Sequence, residues 1–126
     1  MNEFGEFRIA PGAVGRVIRA YTSGYTRDYV TFQAGEAVTV ERQDTDWPGW
    51  LWCAGADGRA AWVAKALLED RDGLTVLRED YTNHELEVQP GDRLALHRLV
   101  SGWYWAEDAQ GQAGWVPAEC VEVISS

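Results

Sequence analysis

An all-β fold made of two consecutive copies of one strand-rich unit is what this 126-residue chain predicts. Three observations carry that expectation. A series of sequence blocks occurs twice in the same order, apolar and polar residues alternate inside the blocks, and turn dipeptides punctuate them at close spacing. A repeated block order means that one supersecondary unit is used twice. Short alternating strands between turns suggest a small barrel or a sandwich.

The blocks pair as follows. Thr31-Phe-Gln-Ala-Gly-Glu36 matches Glu87-Val-Gln-Pro-Gly-Asp92, and Trp50-Leu-Trp-Cys-Ala54 matches Trp103-Tyr-Trp-Ala-Glu107. Gly58-Arg-Ala-Ala-Trp-Val63 matches Gly111-Gln-Ala-Gly-Trp-Val116. The offset is 56 residues at Gly35 and Gly91 but 53 at Trp50 and Trp103, so the first copy holds three extra residues around Asp44 to Gly49.

Within each copy the elements read in order. Ala34-Gly35 and Pro90-Gly91 are turns, and Pro followed by Gly suits the centre of a type II turn. Val38 and Val40 then alternate with Ala37, Thr39 and Glu41, as Leu94 and Leu96 do with Arg93, Ala95 and His97. Period two means a strand with one buried face. Asp57-Gly58 between apolar segments signals a hairpin, and Gln110-Gly111 holds the matching place. Ala64 to Leu68 is one helical turn at most. The charged stretch Glu69-Asp-Arg-Asp-Gly73 reads as a short tether between a domain over 16–70 and a second over 74–126, with 1–15 as an N-terminal extension. Domains on so short a tether must sit side by side.

Composition narrows the function. Twenty acidic against eleven basic residues give a net charge of −9, which repels phosphate backbones and anionic membranes. No apolar run approaches a membrane span, and Met1 to Gly15 lack the basic start and apolar core of a secretory signal. Cys53 and Cys120 sit in apolar surroundings and read as free buried thiols of a reducing, cytoplasmic protein. His84 and His97 have no Cys or Ser at a nucleophile or metal-ligand spacing, and no phosphate-binding glycine loop occurs. The expectation is a protein that is not an enzyme, with no cofactor and no metal. Seven Trp, five Tyr and three Phe are more rings than so small a chain can hide, which points to binding.

The blocks resemble the SH3 family, and the likeness covers about residues 16–70 and 74–125. The Gly-acid turn is Gly35-Glu36 and Gly91-Asp92, the first Trp of the family's Trp pair falls at Trp50 and Trp103, and the closing block falls at Ala61 to Leu68 and Gly114 to Val121. The resemblance, in its variant bacterial form, implies two tandem five-stranded half-open barrels. It also implies grooves paved with rings that hold proline-rich segments in the polyproline II conformation, a flanking Arg or Lys meeting an acidic loop.

Carried over residue by residue, the groove walls are Trp50 and Tyr21 in the first copy and Trp103, Tyr81 and Pro117 in the second. Ala64, Leu67 and Cys120 stand where the family has Pro or Tyr, so each groove lacks a ring. Tyr25, Tyr29 and Trp47 are loop rings that can substitute, or Trp47 folds its loop back on its own barrel. The acidic loops are Asp28 in the first copy and Glu79, Asp80 and Glu85 in the second, whose half carries −6 of the charge. Trp50 and Trp103 are expected half exposed. One or both of Trp52 and Trp105, two residues further on, are expected to cover the seam between barrels, with lateral packing on their own sheets as the alternative. Phe4 and Phe7 belong to a frayed end or plug a groove.

The reading is a monomer or weak dimer that binds a protein or peptide ligand, extended and in the favoured case proline-rich and basic, through two weak grooves at once. The alternatives are a structural or regulatory module with occluded grooves and a cell-wall or glycan binder.

Overall fold

Asp72 and Gly73 form a two-residue turn with φ of 53° and 82°. Both lie in the left-handed region that a type I′ hairpin requires, and Asp-Gly is a preferred pair for it. The turn joins strand β7 (Leu68–Arg71) to β8 (Leu74–Leu77), which pair antiparallel from Leu68 with Leu77 to Arg71 with Leu74. The expected tether is therefore a hairpin, and a hairpin this tight leaves β8 no slack to lie anywhere but against β7. That contact decides the topology.

The computed structural model describes residues 6–9 and 11–125, with the backbone alone at 6–8. The remaining strands are β1 (Glu6–Arg8), β2 (Val14–Val17), β3 (Thr31–Phe32), β4 (Ala37–Gln43), β5 (Trp50–Gly55), β6 (Ala60–Ala64), β9 (Tyr81–Thr82), β10 (Arg93–Val100), β11 (Trp103–Glu107), β12 (Ala113–Pro117) and β13 (Val121–Ser125). Three single turns of 3-10 helix, Gly24–Thr26, Lys65–Leu67 and Ala118–Cys120, complete the described elements. The fold is all-β, in three sheets, none of which closes into a barrel. No helix is long and apolar enough to cross a membrane among the described residues.

One sheet has the order β6-β5-β4-β8-β7, and the other the order β12-β11-β10-β2-β13, with β1 on β10 as well. The two orders are the same once β2 is set in the place of β8. Yet β8 opens the second sequence copy and lies in the sheet of the first, while β2 opens the first and lies in the sheet of the second. Each sheet borrows its fourth strand. Pairing thus does not follow the boundary between 16–70 and 74–126. Gly15 fits β2 into its borrowed place, since a Cβ there would stand 2.5 Å from Val121 Cγ1.

The segments that leave the borrowed strands run antiparallel and meet in the third sheet, β3 with β9, where Phe32 pairs with Tyr81. Tyr21 forms the corresponding isolated bridge with Val88. Phe32 and Val88 are matched block positions, so the crossing segments repeat one contact twice.

The predicted turns form. Glu36 N–H reaches Gln33 O at 3.0 Å around Gly35, and Asp92 N–H reaches Gln89 O at 3.1 Å around Gly91. Asp57-Gly58 closes β5 onto β6 and Gln110-Gly111 closes β11 onto β12. The alternation in β10 holds, with Leu94 and Leu96 buried. In β4 it fails at Val40, which is exposed although Val38 is buried. Both strands bulge just beyond this point, at Glu41 and at His97, but Leu96 is covered by β2 through Gly15 and Val40 has no such cover.

Two apolar clusters result. The second holds Val17 from β2 with Leu94, Leu96, Tyr104, Val116 and Cys120. The first holds Leu77 from β8 with Phe32, Val38, Cys53 and Val63, and continues through Trp50 into Trp103 and Trp115 of the other sheet. Cys53 and Cys120 are free and buried, one in each cluster. Phe4 lies outside the described residues; Phe7 pairs through its backbone with Leu99.

Candidate functional site

Trp50 and Trp103 begin matched strands, β5 and β11, and the strand exchange turns these ends toward each other. Their ring centroids lie 6.1 Å apart at 69°. The expectation that they stand half exposed is corrected: Trp50 is 6% exposed and Trp103 8%. Each covers the other, so the ring that a lone copy would leave outside becomes part of a wall between copies. The Trp50 Nε1–H donates to Ser101 O at 2.9 Å, at the tip of the tight Ser101-Gly102 turn between β10 and β11.

Between these ends lies a cleft of about 210 Å³. Eight of the twelve residues lining it are aromatic, two are carboxylates, Ser23 and Asn83 are the others, and none is Lys or Arg. Around Trp103 the neighbouring rings stand at steep angles: Trp47 at 5.2 Å and 56°, Tyr21 at 5.8 Å and 82°. Trp50 continues to Trp115 at 6.0 Å and 86°. Perpendicular rings prefer such edge contacts over stacking, and the set makes corners rather than a flat floor.

Local chemistry holds each wall in place. Asp44 Oδ1 accepts the main-chain N–H of Asp46 at 2.8 Å and of Trp47 at 3.1 Å. This folds the three-residue insertion so that Trp47 packs on the apolar cluster and reaches Trp103 of the other copy. Tyr81 donates its hydroxyl to Trp62 O at 2.6 Å. The Trp115 Nε1–H donates to Thr82 O at 2.9 Å. Asn83, the buried polar residue of the crossing segment, accepts the Val30 N–H at 2.8 Å.

Glu85 is the charged floor. Its Oε1 accepts the Tyr21 hydroxyl at 2.5 Å and the Ser23 hydroxyl at 2.8 Å. Ser23 Oγ also accepts the Tyr25 N–H, capping the 3-10 turn that carries Tyr25. Loss of water raises the Glu85 carboxyl above its ordinary 4.5, against the two hydroxyls that pull it down. Burial and the Glu85 hydrogen bond push the Tyr21 phenol well up, and burial does so for Tyr81.

Of the residues singled out in the sequence, Tyr21, Tyr25, Trp47, Trp50, Tyr81, Trp103 and Glu85 come together here. The others do not. Tyr29 is half exposed and packs on His84 at 4.6 Å. Pro117 is fully buried and does not line the cleft. Asp28 is exposed and away from the cleft. Glu79 pairs with Arg98, and Asp80 accepts the Ala34 N–H at 2.9 Å; both line a second cavity of about 480 Å³ beside Trp105, which shares Tyr81 and Trp115 with the cleft.

Trp52 and Trp105 pair laterally with Trp62 and Trp115, each at 5.2 Å, and Arg42 lies over Trp52 and Trp62. Trp105 also packs on the apolar cluster that crosses the copies and lines a cavity with Thr31, Phe32 and Gln33 of the first copy, so it shares the seam with Trp50, Trp103 and Trp115. Trp62, Trp115, Ser23, Asp44 and Asn83 were missed as walls. The first two repeat at matched positions of the closing block, which was a usable signal.

Among the described residues, no group of three His, Cys, Asp or Glu could hold a metal ion. No protein-family model matches the chain. Over 40 residues, 32% of the chain, it is 40% identical to the SH3 and multiple ankyrin repeat domains protein 2 of Rattus norvegicus and of Mus musculus. The protein of that name from Homo sapiens matches with the same identity over the same length. The chain spans about 3% of the rat and mouse proteins and 2% of the human one.

Proposed function

We propose that the chain is a non-catalytic protein-interaction module, and that its binding element is the one cleft built jointly by both copies rather than two separate grooves. In this reading each copy is an SH3-like unit whose first strand is lent to the other. The short likeness to an SH3-containing protein and the repeated strand order support it. The observation that carries it is the convergence of eight rings and two carboxylates, with no cation, on one opening. Rings with a polar rim are how small all-β modules hold extended peptides, and the acid in the cleft favours a segment with a basic residue.

The test is titration of the full chain with a library of extended, basic and proline-containing peptides, read by tryptophan fluorescence. Trp47→Ala and Tyr25→Ala should weaken binding at least about tenfold in variants that circular dichroism shows to be folded, and Tyr29→Ala should not. Peptides that bind equally well to all three variants would remove the cleft from the function.

One observation favours a second reading. Trp50 spends its indole N–H on Ser101 O and both groove tryptophans are buried, as in a structural module whose grooves have closed on each other. Absence of binding across the library would favour it.

A further inference from the structure

A cleft of about 210 Å³ is smaller than the ~300 Å³ at which pockets for drug-sized ligands begin. It has room for one side chain of a peptide rather than for a run of it. The chemistry of the walls then selects that side chain. Ring faces carry negative potential and attract cations lying within about 6 Å of their centroids. This protein already uses its rings so: Arg42 lies 5.2 Å from the Trp52 ring and 5.4 Å from Trp62, itself a wall of the cleft, and Arg59 lies 4.9 Å from Phe32. Inside the cleft the rings have acids beside them and no Lys or Arg among them. The surrounding charge of −9 raises the local concentration of any cation.

Which cation follows from hydrogen bonding. A lysine ammonium has three donors and an arginine guanidinium five, and both need oxygen acceptors when they leave water. The cleft offers few. Glu85 Oε1 is already engaged by two hydroxyls and Asp44 Oδ1 by two main-chain N–H groups, which leaves one oxygen of each carboxylate against three or five donors. A fully methylated ammonium has no donor to satisfy and spreads its charge over methyl groups that pack on rings. The corners that Trp47, Trp50 and Tyr21 make with Trp103 suit such a rounded group better than a flat guanidinium.

We infer that the cleft is an aromatic cage for a quaternary ammonium group, presented as the trimethylated lysine of a peptide segment, with Glu85 and Asp44 supplying the counter-charge. The inference rests on the joint-cleft reading above and names the group that the cleft holds.

The experiment compares three peptides of one sequence on the full chain: trimethyllysine, unmodified lysine, and the uncharged tert-butyl isostere of trimethyllysine. The trimethylated peptide should bind at least about tenfold tighter than either of the others. Millimolar tetramethylammonium should compete with it while sodium at equal ionic strength does not. Trp47→Ala and Glu85→Gln should each lower its affinity, in folded variants checked by circular dichroism. Equal binding of all three peptides, with Trp47→Ala weakening each, overturns the cage and leaves the joint cleft as a peptide site. Equal binding of the charged and tert-butyl forms also overturns it, since shape alone would then suffice. Cleft-dependent binding of tetramethylammonium or choline without any peptide preference overturns the assignment to a protein segment. Binding of none of these probes overturns the cage outright, and the peptide library then tells whether the joint cleft fails with it.

Discussion

Trp50 and Ser101 are tied across the two copies by one hydrogen bond, from the indole Nε1–H to the main-chain carbonyl at 2.9 Å. The donor sits on the first strand end of one sheet and the acceptor at the tip of a tight turn of the other. The Trp50 ring is thereby committed to holding the copies together. Trp50→Phe keeps most of the ring and removes the donor. It should cost about 1–3 kcal/mol, since Ser101 O loses its partner in a covered place. Trp50→Ala should cost about 3–5 kcal/mol through the added cavity. Urea unfolding of the full chain measures both, and a Phe variant as stable as the parent would show that the bond contributes nothing.

The hairpin at Asp72 and Gly73 predicts a second effect. Both residues are left-handed, with φ of 53° and 82°, where a β-branched side chain is strained. Gly73→Val should therefore cost about 1–2 kcal/mol, and Asp72→Asn should be nearly neutral because Asn tolerates that region as Asp does. A Gly73→Val variant with unchanged denaturation would mean that the turn does not hold β8 in the first sheet.

Local signals were readable and partner choice was not. Asp57-Gly58 and the turns at Gly35 and Gly91 act over four residues, so the sequence alone reveals them. Asp72-Gly73 carries the same signal, but its charged neighbours made it resemble a tether, and with it the exchange of β2 and β8 was lost. Burial of Trp50 and Trp103 was illegible for a different reason. Period two shows which face of a strand meets its own core, and says nothing of a second sheet that covers the other face. The cleft inherits that limit. Tyr21 was visible as a groove wall and Tyr25 and Glu85 as loop chemistry, whereas Trp62 and Trp115 looked like closing-block residues until the opposed sheet placed them around one opening.

Glu85 sets a dependence on pH. Its folded carboxyl lies above the ordinary 4.5, chiefly because burial removes water. As pH rises past the ordinary value, the unfolded chain gives up this proton first and the folded chain still holds it. Stability from this group is thus fully present below 4.5 and is lost as pH climbs through the raised value. Glu85→Gln retains an oxygen for Tyr21 and Ser23 and carries no charge. It should be no less stable than the parent near neutral pH, and its stability should fall less between about pH 4 and pH 7. Denaturation midpoints across that range check this, and parallel curves for the two proteins would contradict it.

The two thiols report on whether the exchange makes the sheets one cooperative unit. Burial pushes the Cys53 thiol up to about 11, and burial with the Glu119 charge raises that of Cys120. At pH 8 a thiol near 11 is roughly one part in a thousand thiolate, and both sulfurs are covered by their clusters. A disulfide reagent should thus label neither at an appreciable rate in the folded chain and both in denaturant. In native buffer, labelling then proceeds through opening. Cys53 lies in the cluster that borrows Leu77 and Cys120 in the one that borrows Val17, so neither sheet can open fully without releasing a strand of the other copy. Single-cysteine variants, Cys53→Ala and Cys120→Ala, should give the same opening free energy for the remaining thiol, within the few tenths of a kcal/mol that separate mutants of equal stability. A gap of about 2 kcal/mol or more would mean that one sheet opens while the other stays closed, and that the shared strands do not bind the halves into one folding unit.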